Sequence, residues 1–185
     1  QPSDESYSAV HLANAAIEQG TRYPYPILAA INGHCRSFGL SLACVADLRY
    51  ANSKAVFSVP EPTWGLVPAG GITQRLPRLI GKTAAMEMLL GGKIQADTAY
   101  SLGLINKVTS ENVWDLACEK AKQFASLSTL SLQYTKECIT RGIELPLEQA
   151  LRLELDIYML LSTSKDRMEG VHAFLEKRQP KFLGE

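Results

Sequence analysis

Proline on both sides of a single acid, Pro60-Glu61-Pro62, constrains this 185-residue chain more than any other feature. Proline lacks a backbone donor and steers the residue before it away from helical geometry. The acid therefore belongs in neither a helix interior nor a central strand. Before it runs Phe57-Ser58-Val59; after it come Thr63-Trp64-Gly65 and then Leu66-Val67-Pro68-Ala69-Gly70-Gly71-Ile72-Thr73-Gln74-Arg75-Leu76. A strand leading to a fixed acid, then a glycine-rich turn opening a helix, is a way to hold one carboxylate rigidly over backbone N–H groups.

The chain is long enough to bury a core. Its 46% hydrophobic and 21% charged content is ordinary for a globular domain. Nineteen basic residues balance nineteen acidic ones, so global charge points to neither nucleic acid nor an anionic membrane. Cys35, Cys44, Cys118 and Cys138 are scattered, with no C-x-x-C pair and no zinc-like spacing to histidine, which predicts free thiols in a reducing compartment and no metal. No apolar run reaches the about 18 residues of a membrane span, and the acidic, polar start is unlike a signal peptide. A soluble, cytoplasmic protein is expected, or a matrix or peroxisomal one in a eukaryote.

Hydrophobic periodicity predicts a helix from Asp4 to Gln19, capped by Asp4 or Ser6 and ended by Gly20, with Val10, Ala13, Ala16 and Ile17 near one face. Strands are expected at residues 27–31, 47–51 and 55–59, the last two joined by a turn at Asn52-Ser53-Lys54, and at 105–108. A compact helix is expected over residues 39–46. Further helices are expected at 72–79, 83–90, 96–102, 111–126, 128–141, 146–162 and 165–177. In the helix at 146–162, Leu147, Ala150, Leu151, Leu155, Tyr158 and Leu161 trace a stripe expected to pack. Strand–helix alternation followed by a run of helices gives an α/β core over residues 1–110 and a helical region over 111–185. A projecting helical segment can bury its apolar face on another subunit, so an oligomer is expected.

Several segments in order carry a resemblance. They are Pro26-Ile27-Leu28-Ala29-Ala30-Ile31-Asn32-Gly33, Gly39 through Ala51, and Phe57 through Gly81. Met86-Glu87-Met88-Leu89-Leu90-Gly91-Gly92, Ala99 through Ile105, and the closing stretch Lys165 through Arg178 complete the series. With this spacing the chain resembles the crotonase superfamily, the enoyl-CoA hydratase/isomerase enzymes, from about Pro26 to Glu185. The resemblance implies an α/β, crotonase-like (ClpP/crotonase) β-β-α spiral core with a C-terminal helical region. Nothing in residues 1–25 matches the early Ala-, Gly- and Asp-type motif of the family. The resemblance therefore predicts that the family's N-terminal third is missing from this chain or supplied by another.

The same resemblance implies an acyl-CoA substrate, with coenzyme A entering as part of it and no permanently bound cofactor or metal. Its thioester oxygen would sit in an oxyanion hole of two backbone N–H groups, one at a helix N-terminus. The matching amide belongs to Phe38, beside Gly39, in the triplet Ser37-Phe38-Gly39 that replaces the family's glycines. Phe38 is strained if that position needs a positive φ; otherwise it narrows the acyl pocket or plugs the core. Of the two glutamates of a family hydratase, the second matches Glu61 and the first is Ser41. A serine hydrogen-bonds a water but is no general base near neutral pH.

One carboxylate suits the shift of a double bond from C3=C4 to C2=C3 of an enoyl-CoA, with Glu61 as proton shuttle. Gly39 is expected to contact the substrate, Trp64 and Gly65 to line the acyl end, and Phe174 and Lys177 to contact the cofactor portion. Arg75 and Arg78 read as solvated helix residues, and His34 and His172 as surface or packing residues. The resemblance further implies a homotrimer or a dimer of trimers. The alternatives are a non-catalytic acyl-CoA-binding or scaffold protein, or another enolate reaction of the lyase, decarboxylase or thioester hydrolase type.

Overall fold

Among the described residues, six strands of three to five residues carry the first unit of the chain. β1 (Leu28–Ile31) pairs in parallel with β3 (Leu48–Asn52), which pairs in parallel with β6 (Lys107–Thr109). A second sheet joins β2 (His34–Arg36) in parallel to β4 (Val56–Ser58) and β4 antiparallel to β5 (Lys93–Gln95). The turn at residues 52–55 joins β3 to β4 without pairing them; it hands the chain from one sheet to the other.

The computed structural model describes residues 4–185, with side chains from residue 8 onward, so the candidate caps Asp4 and Ser6 lie outside the described side chains. The chain divides into two compact units. One takes the residues up to Tyr23 with Ile27–Cys118; the other takes Pro24–Pro26 with Glu119–Glu185.

In the first unit α1 (Asp4–Arg22) runs past Gly20, where it was expected to stop. Gly20 stays helical at a close approach: a Cβ there would lie 2.9 Å from Val45 Cγ1. Ile17 is the buried contact of this helix, while Val10 is exposed. α2 (Phe38–Ala43), α3 (Ile72–Ile80), α4 (Lys82–Leu89) and α5 (Ala96–Ser101) complete the core. Phe57, Leu40, Ile72, Leu76, Met88 and Leu104 are its largest fully buried side chains. Val113 and Ala117, at the start of α6 (Val113–Ala125), pack with Tyr50 on the other side of β3.

A buried arginine, Arg49 on β3, braces this unit. Its Nε donates to Leu104 O at 2.6 Å, and its guanidinium also reaches Ala43 O at the end of α2 and Ala46 O beyond it. A buried guanidinium is tolerated when carbonyls take its donors, and the carbonyls at a helix C-terminus suit a cation.

The second unit holds α7 (Thr129–Gly142), α8 (Leu147–Ser162) and α9 (Lys165–Leu175). Ser128 and Ser164 cap α7 and α9 by accepting from Ser131 N–H and Arg167 N–H. Asp166 pins the C-terminal segment, its carboxylate accepting from Ser128 Oγ at 2.6 Å, Leu183 N–H at 2.8 Å and Gly184 N–H at 3.1 Å. The stripe on α8 departs from expectation. Leu147, Leu151, Leu155 and Tyr158 are all exposed, and neither α7 nor α8 has a buried residue. Helical periodicity identifies an apolar face without identifying what covers it.

Candidate active site

Glu61 opens a 3₁₀ turn, Glu61–Trp64, instead of lying in irregular loop. The two prolines permit this, because the first turn of a helix needs no donor from its N-terminal residues and Pro62 takes one of those positions. Gly65, with φ 70°, then closes the turn in the left-handed region. The side chain of Glu61 points inward and is buried. One carboxylate oxygen, Oε1, accepts the Ser37 hydroxyl at 2.5 Å. The other, Oε2, is buried and has no hydrogen-bond partner among the described residues.

Ser37 was visible in the sequence only as part of a triplet that replaces glycines. It is the residue that sequence reasoning missed. Its backbone, at φ 53° and ψ −132°, occupies a region that glycine favours and that costs another residue about 1–3 kcal/mol. The strain anticipated at Phe38 therefore falls one residue earlier. Phe38 itself is the first residue of α2, half-buried, and absent from the positive-φ residues. The Ser37 carbonyl accepts from Leu40 N–H and Ser41 N–H, so the Phe38 and Gly39 amides precede the first intrahelical bonds. Gly39 is exposed. The Ser37–Glu61 bond thus brings the opening amide of α2 within one residue of the carboxylate's partner.

Ser41 is fully buried, and its hydroxyl donates to Ala69 O at 3.0 Å. Its donor is committed to the chain, where it ties α2 to the loop before α3. That loop packs tightly. A Cβ on Gly70 would lie 2.8 Å from both Ser41 Cβ and Ile17 Cδ1, and its φ of 74° also excludes ordinary side chains. Arg75 braces the same loop, donating to Gly70 O at 2.8 Å, and is half-buried where a solvated residue was expected. Arg78 is exposed.

Trp64 is 58% exposed. An apolar groove of about 560 Å³ starts at Pro62 and runs along Leu66, Val67, Met86 and Leu90; its lining includes neither Trp64 nor Gly65. Phe174 and Lys177 belong to the second unit. Phe174 is 82% exposed near the end of α9, and Lys177 follows that helix at φ 55°, where its amide donates to Phe174 O.

Cysteine offers no competing nucleophile in the core. Burial pushes the Cys35 thiol up to about 12, with the neighbouring Cys44 adding to it. Burial likewise lifts Cys44 to about 11 against the opposing pull of Arg49 and Arg75. Among the described residues no cluster of three or more His, Cys, Asp or Glu is placed to hold a metal ion. No described helix is long and apolar enough to cross a membrane.

The family model for enoyl-CoA hydratase/isomerase matches residues 10–185. The chain belongs to the enoyl-CoA hydratase/isomerase family. The 2,3-dehydroadipyl-CoA hydratase of Escherichia coli (strain K12) is 38% identical to it over 161 residues, covering 86% of this chain and 63% of that protein. The mitochondrial enoyl-CoA hydratase of Pongo abelii is 37% identical over 164 residues, covering 88% of this chain and 57% of that protein. A crystal structure of an enoyl-CoA hydratase from Bacillus anthracis superposes with a TM-score of 0.95 at 35% identity, covering 100% of this chain and 72% of the other. DspI of Pseudomonas aeruginosa gives 0.93 at 31% identity, covering 99% and 71%. The fold is that of the crotonase superfamily, α/β with a C-terminal helical region. The chain spans 57–63% of the length of the two curated relatives named here.

Proposed function

We propose that this member of the family isomerises an enoyl-CoA, moving a C3=C4 double bond to C2=C3, with Glu61 as the only acid/base group. The observation that carries the proposal is the pair of fates at the two glutamate positions of a hydratase. Glu61 presents one buried carboxylate oxygen without a partner, while Ser41 is buried and its hydroxyl is bound to Ala69 O. Among the described residues the other buried carboxylate is Asp166, which is already bound by Ser128 and the C-terminal segment.

Glu61 Oε2 takes a proton from C2, and the C–H electron pair spreads into a dienolate whose charge gathers on the thioester oxygen. The Phe38 N–H, at the start of α2, donates to that oxygen. Glu61 then returns the proton to C4, which leaves the double bond at C2=C3 and the carboxylate ionised again. Water enters at no step, so a second carboxylate to direct one is unnecessary. The apolar groove beside Pro62 falls within the size range of small-molecule sites and offers the acyl chain an apolar wall. A hydroxyl held by Ala69 leaves water addition without its second directing group.

The exposed stripe of α8 supports an assembly in which a second copy covers Leu151, Leu155 and Tyr158, consistent with a trimer or a pair of trimers. Hydration is the second reading, favoured by the names of the relatives, which are hydratases. Both activities are measured on one preparation, offering 3-enoyl-CoA and 2-enoyl-CoA separately. Isomerisation exceeding hydration by at least about tenfold supports the proposal. The opposite ratio refutes it.

A further inference from the structure

A free carboxylate has two equivalent oxygens, and this fold makes those of Glu61 unequal. Oε1 accepts the Ser37 hydroxyl at 2.5 Å, the short distance of a hydrogen bond to an ionised acceptor. Oε2 is buried with no partner among the described residues, and a buried polar atom left so calls for an explanation. The donor itself comes at a cost, because Ser37 sits at φ 53° and ψ −132°, where glycine would relax the backbone but carry no hydroxyl. An unfavourable backbone that supplies one hydroxyl, and a carboxylate with one oxygen left bare, are separate observations on the same pair.

We propose that Ser37 is a positioning residue for proton transfer: its O–H pins Oε1 and fixes the carboxylate plane, so that Oε2 alone receives the proton from C2 and delivers it to C4. The proposal rests on the reading of Glu61 as the proton shuttle. In the shuttle, the C2–H bond breaks as the Oε2–H bond forms, and the Oε2–H bond breaks as the C4–H bond forms. Nothing is oxidised or reduced. Both transfers use one oxygen on one face of the substrate, which requires that the carboxyl group not rotate between them. A hydroxyl donor at Oε1 supplies that restraint.

The test compares the full chain with Ser37→Ala and Ser37→Gly, using glutamate labelled with carbon-13 at the carboxyl carbon. The Glu61 resonance is assigned by its disappearance in Glu61→Gln. Both Ser37 variants are expected to move the Glu61 carboxyl resonance, because Oε1 loses its donor. Both also lower kcat with a 3-enoyl-CoA by about tenfold or more while KM stays within about twofold. Ser37→Gly relieves the backbone and melts no lower than Ser37→Ala, which separates loss of the hydroxyl from loss of folding.

An unchanged carboxyl resonance and unchanged kcat in both variants, with Glu61→Gln inactive, overturns the role of Ser37 and leaves Glu61 as the shuttle. Turnover retained by Glu61→Gln overturns the shuttle and this proposal with it. If the chain turns over no enoyl-CoA, the resonance still decides: a Glu61 carboxyl signal at the same position in all three chains refutes the pinning.

Discussion

Truncating Ser41 to alanine tests whether the residue at a hydratase's first glutamate position is a structural tie. Its side chain is fully buried and donates to Ala69 O at 3.0 Å; the 3.4 Å approach to Ser37 O is longer and adds little. Alanine removes one oxygen and opens almost no cavity, so the packing loss is small. The larger effect falls on the Ala69 carbonyl, which loses its described donor in the tight loop held by Gly70. A typical buried hydrogen bond contributes about 1 kcal/mol, and an abandoned partner raises the cost of losing it toward about 1–3 kcal/mol. With one neutral bond lost, about 1–2 kcal/mol is expected. For a chain of this size that lowers Tm by about 2–8 °C. Urea unfolding followed by circular dichroism and a thermal scan give the two numbers, and Glu61-dependent turnover gives the contrast. A variant as stable as the parent but depleted in activity would refute the reasoning, because it would put the Ser41 hydroxyl on the substrate side.

Four other outcomes follow from the same structure. Asp166→Ala leaves the donors of Ser128, Leu183 and Gly184 without their acceptor and lowers stability by about 2 kcal/mol, read as a shift in the urea midpoint. Burial alone raises the pKa of Asp166, but the donors from Ser128, Leu183, Gly184 and Glu185 outweigh it and hold the carboxyl below the usual carboxylate range. A depressed native pKa stabilises the fold above the unfolded value of about 4 and is lost as pH falls through the native one. The wild type therefore loses more Tm than Asp166→Asn between neutral pH and that acid range.

Cys35 and Cys44, with thiols lifted to about 12 and about 11, react with a disulfide reagent at pH 8 only as fast as the chain unfolds. Reaction as fast as that of the partly exposed Cys118 would contradict their burial. Leu151→Lys with Leu155→Lys, on the exposed stripe of α8, shifts light-scattering mass toward the monomer without changing helical content.

How far the sequence led depended on the kind of signal. Elements of eight residues or more followed from periodicity, as α3, α4 and α6 to α9 did, because a helix repeats its pattern several times. β2 and β5 did not, since three residues such as His34-Cys35-Arg36 give one alternation and no period. Pro60-Glu61-Pro62 placed the acid correctly at the end of β4 but concealed the 3₁₀ turn, which needs no donor from proline. Glycine at position 20 looked like a stop signal. It proved to be a contact site, a distinction set by Val45 and invisible in one dimension. The Ser37 hydroxyl shows the same limit, because its partner lies 24 residues away and is brought near only by the parallel pairing of β2 with β4. Buried Arg49 and Asp166 carried no sequence signal beyond a charge within or beside an apolar segment.

The central claim is that one carboxylate carries the proton, and it is tested most directly by Glu61→Gln. The amide keeps the shape of the side chain and still accepts the Ser37 hydroxyl through its carbonyl, but it cannot act as a base. Conversion of 3-enoyl-CoA is predicted to fall by about 10²–10⁴-fold while the variant binds the coenzyme A thioester as tightly as the parent. Turnover within about threefold of the parent would contradict the account, because another group would then have to move the proton.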